Sequence, residues 1–205
     1  MKAQTEHWIL LLKRIGFATI LFSICRLIFF LFTTTVFSQQ GFSAIFWAFV
    51  HGVRFDLSAI LYMNSLLIIF HLLPFNIRNK KAYQAFLLGL FVFVNTIAVL
   101  FNIGDIVNFS FAGKRLTADF FSFISQGDDA KNLGLDFIID NWYLLFIIAL
   151  LVWFMYRFYP RIAKKPLSIA FNIKTFFIQL LIIGITTTLL TNQNFIDYND
   201  IISKV

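Results

Sequence analysis

Six charged residues in this sequence are of the types that bind phospholipid headgroups. They are Arg54, Asp56, Asp105, Lys114, Arg115 and Asp119. Guanidinium and ammonium groups bind phosphate through charge-assisted hydrogen bonds, which makes Lys114 and Arg115 candidates to hold a lipid phosphate. Carboxylates accept hydrogen bonds, so Asp105 and Asp119 are candidates to orient a headgroup amine or hydroxyl group. These residue types predict a site for a lipid headgroup.

Several of these candidates also have a structural explanation. Basic pairs such as Lys114 and Arg115 more often anchor a helix that lies along a membrane surface to anionic lipids. The carboxylates of Asp105 and Asp119 can instead cap helices, because negative charge is stabilised near a helix N-terminus. Taken one at a time, these two carboxylates fit the capping role better than a binding role.

Arg26, Arg54 and Asp56 are the ionisable residues expected at membrane depth. A charge there is costly, so it pairs with another group, lines a wet cavity or marks a functional site. Because Arg54 and Asp56 are two residues apart, they point to different sides of a helix and need separate partners. Pairing of Asp56 with Arg26 would lock two helices together. Asn64 and Asn95 are expected to hydrogen-bond between helices.

The sequence contains no catalytic constellation. Thr117 and the serines near it have no histidine in their segment to activate them. His7, His51 and His71 are not at the spacing of metal ligands, and the single cysteine, Cys25, cannot form an internal disulfide. We therefore predict no catalytic residue, metal or cofactor within this chain.

The composition places the chain in a membrane. Of its 205 residues, 60% are hydrophobic and 13% are charged, whereas soluble domains are about half apolar and about a quarter charged. The mean hydropathy is +0.81. Spans must be helices or a closed barrel, and continuous apolar runs without strict alternation favour helices. The net charge of +7 lies in short clusters beside apolar runs, which excludes a nucleic-acid partner.

Five apolar runs predict five transmembrane helices. They cover residues 15–37, 43–73, 82–103, 142–159 and 175–190. The second run is too long for one upright span, because 31 residues would extend about 46 Å against a hydrocarbon core of about 30 Å. We expect either a strongly tilted helix or first turns that lie along the outer interface.

The positive charges predict the orientation of these helices. Basic residues fill the N-terminus and the loops after the second and fourth spans, and cytoplasmic loops carry such an excess. We therefore expect an all-α membrane protein of the cytoplasmic (inner) membrane, with the N-terminus inside and the C-terminus outside. Residues 1–191 would form the five-helix domain.

The long polar stretch between the third and fourth spans, residues 104–141, is expected on the outer face. Within it, Lys114 to Ser125 has apolar side chains at helical spacing, which predicts an amphipathic helix lying on the outer leaflet. Asp128 and Asp129 could begin a second short helix.

Two runs of the sequence carry a resemblance to a known family. They are GVRFDLSA at residues 52–59 and KRLTADFF at residues 114–121, with residues 102–105 between them. With the five-span layout, they resemble the membrane portion of lipoteichoic acid synthase-like proteins, of the bacteroidete phosphoglycerol transferase type. That family belongs to the sulfatase (alkaline phosphatase) superfamily.

The resemblance implies a cell-envelope transferase in two parts. A five-helix domain would bind the donor phospholipid, and an extracytoplasmic sulfatase-like domain would carry a threonine nucleophile with a divalent metal such as Mn, Mg or Zn. That nucleophile would transfer phosphoglycerol or phosphoethanolamine. The resemblance also implies that the six charged candidates contact either the lipid headgroup or this second domain. The chain ends just after the fifth helix, so we expect a fragment in which residues 192–205 begin the linker to the missing catalytic domain.

Two other functions are open at this point. The chain could be a complete small polytopic protein, such as a transporter or channel subunit, although its two halves show no symmetry. It could also be a structural membrane scaffold without a lipid-binding role.

Overall fold

The computed structural model describes residues 2–38, 40–73, 77, 80–112, 139, 141–161 and 173–202. Of these residues, 92% are helical and none forms a strand. The predicted all-α class is therefore confirmed for this part of the chain. The amphipathic helix predicted from residue 114 and the short helix predicted at Asp128 and Asp129 fall outside it.

Seven helices are described. They are α1 (Lys2–Phe32), α2 (Thr34–Phe37), α3 (Phe42–Met63), α4 (Ser65–Leu72), α5 (Lys81–Ala112), α6 (Trp142–Phe158) and α7 (Ile173–Ile202). Within α1, α3 and α5, three segments are long and apolar enough to cross a membrane: Glu6–Phe32, Phe42–Met63 and Lys81–Phe109. Two shorter apolar helices cover Trp142–Phe158 and Phe176–Asn192. The chain therefore has the helices of a membrane protein, and crossing by all five stays a prediction.

Helices α1 and α7 both extend beyond the predicted spans. Helix α1 begins at Lys2, well before the predicted span, and Leu10, Leu11 and Arg14 in this added part are buried. Helix α7 runs to Ile202, so residues 192–202 continue it as helix. Hydropathy marks the part of a helix that suits hydrocarbon, whereas the helix itself continues while its backbone hydrogen bonds are satisfied.

The over-long second span is divided at Asn64. The φ and ψ angles of Asn64, −91° and 13°, depart from helical values and separate α3 from α4. The backbone N–H of Asn64 still donates to the Ile60 carbonyl at 2.9 Å, and the N–H of Ile68 donates to the Asn64 carbonyl at 2.9 Å. The run is therefore locally distorted at Asn64, and its two parts stay joined by helical hydrogen bonds.

Helix α1 lies at the centre of the described bundle. It packs against α3 on one side and α5 on the other, with α6 against α5 and α7 against α3 and α4. The aromatic pairs Phe17–Phe91 and Phe29–Phe109, at 6.0 and 5.3 Å between ring centroids, show that α1 and α5 run in the same direction. This parallel register decides which polar residues lie at the same level.

The surface of the bundle is apolar. Phe93 and Leu181, for example, are 65% and 63% exposed. Monomeric soluble proteins rarely expose contiguous apolar surface on this scale. Contact with lipid chains would remove that surface from water.

Candidate functional site

The carboxylate of Asp56 is held by an arginine from the neighbouring helix. Arg26 Nη2 on α1 lies 2.7 Å from Asp56 Oδ2 on α3, and Arg26 Nη1 donates to the Phe49 carbonyl at 3.0 Å. The Arg26 guanidinium therefore joins α1 to two positions on α3, Phe49 and Asp56, which are about two helical turns apart. The predicted helix-locking pair is confirmed, and contact of Asp56 with a headgroup stays a prediction.

Gly52 makes room for this ion pair. A Cβ at residue 52 would overlap the guanidinium of Arg26. The guanidinium lies directly on the backbone of α3, where it reaches both Phe49 and Asp56. Any larger residue at this position would push Arg26 away from its two acceptors.

Arg54 lies on a different side of α3 from Asp56. Its guanidinium carbon is 5.8 Å from the centroid of the Phe55 ring, which is within the range of a weak cation–π contact. The side chain is partly exposed. Arg54 and Asp56 thus have separate surroundings, as their spacing predicted.

Asp105 lies at the same level of the bundle as the Arg26–Asp56 pair. It is buried, at 5% exposed, on α5. Asp105 comes four residues before Phe109, and Arg26 comes three residues before Phe29, the ring that Phe109 contacts. Since α1 and α5 run in parallel, Asp105 and Arg26 are each about one turn from that contact.

Three of the six candidates are described, and they occupy one end of the bundle. Arg54 and Asp56 are neighbours on α3, and Asp105 is near the C-terminal end of α5. Lys114, Arg115 and Asp119 lie outside the described residues.

Asn64 and Asn95 form a reciprocal hydrogen-bonded pair. Asn95 Nδ2 donates to Asn64 Oδ1 at 2.9 Å, and Asn64 Nδ2 donates to Asn95 Oδ1 at 3.3 Å. Each amide also donates to a carbonyl of its own helix, that of Ile60 at 3.1 Å and that of Phe91 at 2.8 Å. The predicted interhelical bond is confirmed.

A second polar cluster surrounds Arg14, one of the basic residues near the N-terminus. Arg14 is completely buried. It donates to Gln84 Oε1 at 2.7 Å and to the Pro160 carbonyl at 3.3 Å, and its Nη1 is 2.8 Å from His71 Nδ1. Its guanidinium lies 4.6 Å from the Tyr159 ring centroid. Arg14 therefore joins α1, α4, α5 and the residues after α6.

These contacts fix the protonation of His71. A guanidinium donates hydrogen bonds and cannot accept them, so His71 Nδ1 accepts from Arg14. The other ring nitrogen, Nε2, is 2.9 Å from the His7 carbonyl, and a carbonyl only accepts. His71 is consequently neutral, with its proton on Nε2.

Tyr159 closes the cluster just beyond the end of α6. Its ring face lies against the Arg14 guanidinium. The ring also packs on Phe91, with 5.0 Å between centroids.

One pattern in the sequence of α1 is consistent with this cluster. His7, Leu11, Arg14, Ala18 and Leu21 recur at helical spacing and are all buried. Arg14 belongs to this stripe. Because apolar residues occur on nearly every face of α1, the sequence alone does not show which face of the helix is buried.

Neither polar cluster has the composition of a metal centre. Among the described side chains, no three histidine, cysteine, aspartate or glutamate residues lie close enough together to hold a metal ion. Comparison of the chain with protein-family models, curated proteins and solved structures finds no match.

Proposed function

We propose that this chain is the membrane domain of a lipid-linked phosphoglycerol or phosphoethanolamine transferase. Its five apolar helices cross the cytoplasmic membrane, with the N-terminus inside and the C-terminus outside. The domain binds the donor phospholipid at the outer leaflet and anchors an extracytoplasmic sulfatase-like domain. The metal and the threonine nucleophile belong to that other domain, so no catalytic step is assigned to residues of this chain.

The observation that carries this proposal is the position of the candidate residues. Arg54, Asp56 and Asp105 lie towards one end of the bundle, the end where α5 finishes at Ala112. The predicted outer segment follows directly from there. With that segment on the outer leaflet, all six candidates would lie towards one membrane face.

The opposite end of the bundle supports the proposed orientation. Arg14, Gln84 and Pro160 meet there, so the early turns of α1, the start of α5 and the end of α6 lie together. Lys80 and Arg161 adjoin these elements and are exposed. Basic residues gathered at one end are typical of a cytoplasmic face.

The first test is the DNA sequence that follows the codon for Val205. The proposal predicts that the reading frame continues into a large domain with a threonine-centred metal site. A stop codon at this point, with no sulfatase-like frame downstream, would contradict it.

The second test uses the protein encoded by the whole reading frame. Purified protein in lipid vesicles should transfer labelled phosphoglycerol from phosphatidylglycerol, or labelled phosphoethanolamine from phosphatidylethanolamine. Replacement of Arg54, Lys114 and Arg115 by alanine should lower that rate at least about tenfold, because three phosphate contacts are lost. An unchanged rate would show that the membrane half does not bind the donor.

A structural scaffold is the second candidate, and one observation favours it. The Arg26–Asp56 and Asn64–Asn95 pairs both use polar side chains to hold helices together. An unchanged transfer rate in the triple alanine variant would favour this alternative.

A further inference from the structure

Helix α3 carries polar and aromatic side chains on two sides. The side towards α1 includes Gly52 and Asp56, which are engaged with Arg26. On the other side a second series follows the helical repeat at steps of four, three, four and four residues. It consists of Trp47, His51, Arg54, Ser58 and Tyr62. At about 100° per residue these five positions fall within an arc of about 80°. We refer to them as the outer stripe.

The outer stripe lies on the surface of the bundle. Trp47 is 54% exposed and Tyr62 is 55% exposed. His51 is exposed, and its ring centroid lies 5.8 Å from that of Trp47. Arg54 and Ser58 are partly exposed. In a membrane protein this surface meets lipid, where a row of polar side chains is unusual and marks a functional surface.

The length of the stripe matches one leaflet. Trp47 and Tyr62 are 15 residues apart, which is about 22 Å along a helix. Half of a bilayer with its headgroups measures about 20–22 Å. Helical side chains also lean towards the N-terminus, so the Tyr62 hydroxyl is carried towards Arg54.

We propose that the outer stripe binds one anionic phospholipid of the outer leaflet. The identification of this lipid as the donor rests on the proposed function. The phosphate lies at Arg54, the headgroup extends towards His51 and Trp47, and an acyl chain follows Ser58 to Tyr62. Arg54 is the one arginine, lysine, aspartate or glutamate among the five stripe residues. A net positive stripe favours a lipid of net negative charge over a zwitterionic one.

Arg157 provides a matched control for Arg54. Each arginine precedes a phenylalanine and lies near its ring, at 5.5 Å from Phe158 and 5.8 Å from Phe55. Arg157 lies on α6, where the positions one and two turns before it, Phe154 and Leu150, are apolar. Replacing either arginine by glutamine removes the same charge, but only one replacement alters the outer stripe.

The test is native mass spectrometry of the purified 205-residue chain with phosphatidylglycerol and phosphatidylethanolamine in equal amounts. Wild type should retain phosphatidylglycerol preferentially. Arg54→Gln should reduce that preference about fivefold, the effect of losing one cation–phosphate interaction near a membrane surface, and Arg157→Gln should leave it unchanged. Trp47→Leu should weaken retention while leaving Arg54 in place. Thermal midpoints confirm that each variant is folded.

Three results would overturn the inference: equal retention of both lipids by wild type, equal losses in Arg54→Gln and Arg157→Gln, or a wild-type dimer that Arg54→Gln dissociates. The last would make the stripe a contact between two copies. The assay needs no catalytic domain, so its failure is separate from failure of the proposed function. If lipid retention depends on Arg54 but no sulfatase-like frame follows Val205, the lipid site is supported and the proposed transferase function is contradicted.

Discussion

Arg14 and Arg26 both lie on α1, and they interact with different kinds of partner. Arg26 has a carboxylate, that of Asp56, at 2.7 Å. Arg14 has three acceptors, the Gln84 side chain, the Pro160 carbonyl and neutral His71. Because none of these three carries a negative charge, the position of Arg14 depends on hydrogen-bond geometry. The two arginines should therefore respond differently to substitution of their surroundings.

Gly52→Ala should break the contact between α1 and α3. Its Cβ displaces the Arg26 guanidinium from Asp56 and from the Phe49 carbonyl, so we expect the free energy of unfolding to fall by about 1–3 kcal/mol. Thermal unfolding in detergent measures the change. Gly89→Ala is the control, because nothing lies within 4 Å of its added Cβ. Equal stability of the two variants would contradict the role given to Gly52.

Replacement of His71 by leucine should destabilise the protein. It removes the hydrogen bonds of the ring to Arg14 and to the His7 carbonyl, at 2.8 and 2.9 Å, so the free energy of unfolding should fall by about 1–3 kcal/mol. Thermal unfolding in detergent measures the change.

The matched variant is His71→Gln, which keeps one acceptor and one donor. Its thermal midpoint should lie closer to that of wild type. His51→Leu, at an exposed histidine, should leave the midpoint unchanged. Equal losses in His71→Leu and His71→Gln would contradict the role given to these hydrogen bonds.

At the scale of helices, polar pairs set the register between neighbours. The pair Asn64–Asn95 joins the distortion between α3 and α4 to the middle of α5. Both the asparagine pair and the Arg26–Asp56 pair were predictable, because polar residues in an apolar run must find partners. The distortion at Asn64 could not be predicted. The length of the run showed that one upright span was impossible, but it did not show at which residue the helix would be distorted.

A double-mutant cycle on the asparagines tests this register. Asn64→Leu or Asn95→Leu alone leaves the remaining amide without its partner, and each should lower the free energy of unfolding by about 1–2 kcal/mol. The double variant should lose less than the sum of the two, giving a coupling energy of about 0.5–1.5 kcal/mol. Thermal or denaturant unfolding in lipid nanodiscs provides the values. Strict additivity would show that the amides do not interact.

At the scale of the whole molecule, polar groups form three levels across the apolar bundle. Arg14 and Arg26 mark the outermost two, 12 residues apart on α1, which is about 18 Å, and Asn95 lies between them. Composition predicted the membrane and the helical class. It did not predict the Arg14 cluster, because the four segments that form it are joined only by packing.

The central claim is that the candidate headgroup site faces the outside of the cell. In a Cys25→Ala background, single cysteines at Gln40, Lys80 and Lys114 can be treated in intact cells with a membrane-impermeant maleimide. The account predicts labelling at Gln40 and Lys114 in intact cells, and at Lys80 only after permeabilisation. Labelling of Lys114 only in permeabilised cells would put the site on the cytoplasmic face and contradict the account.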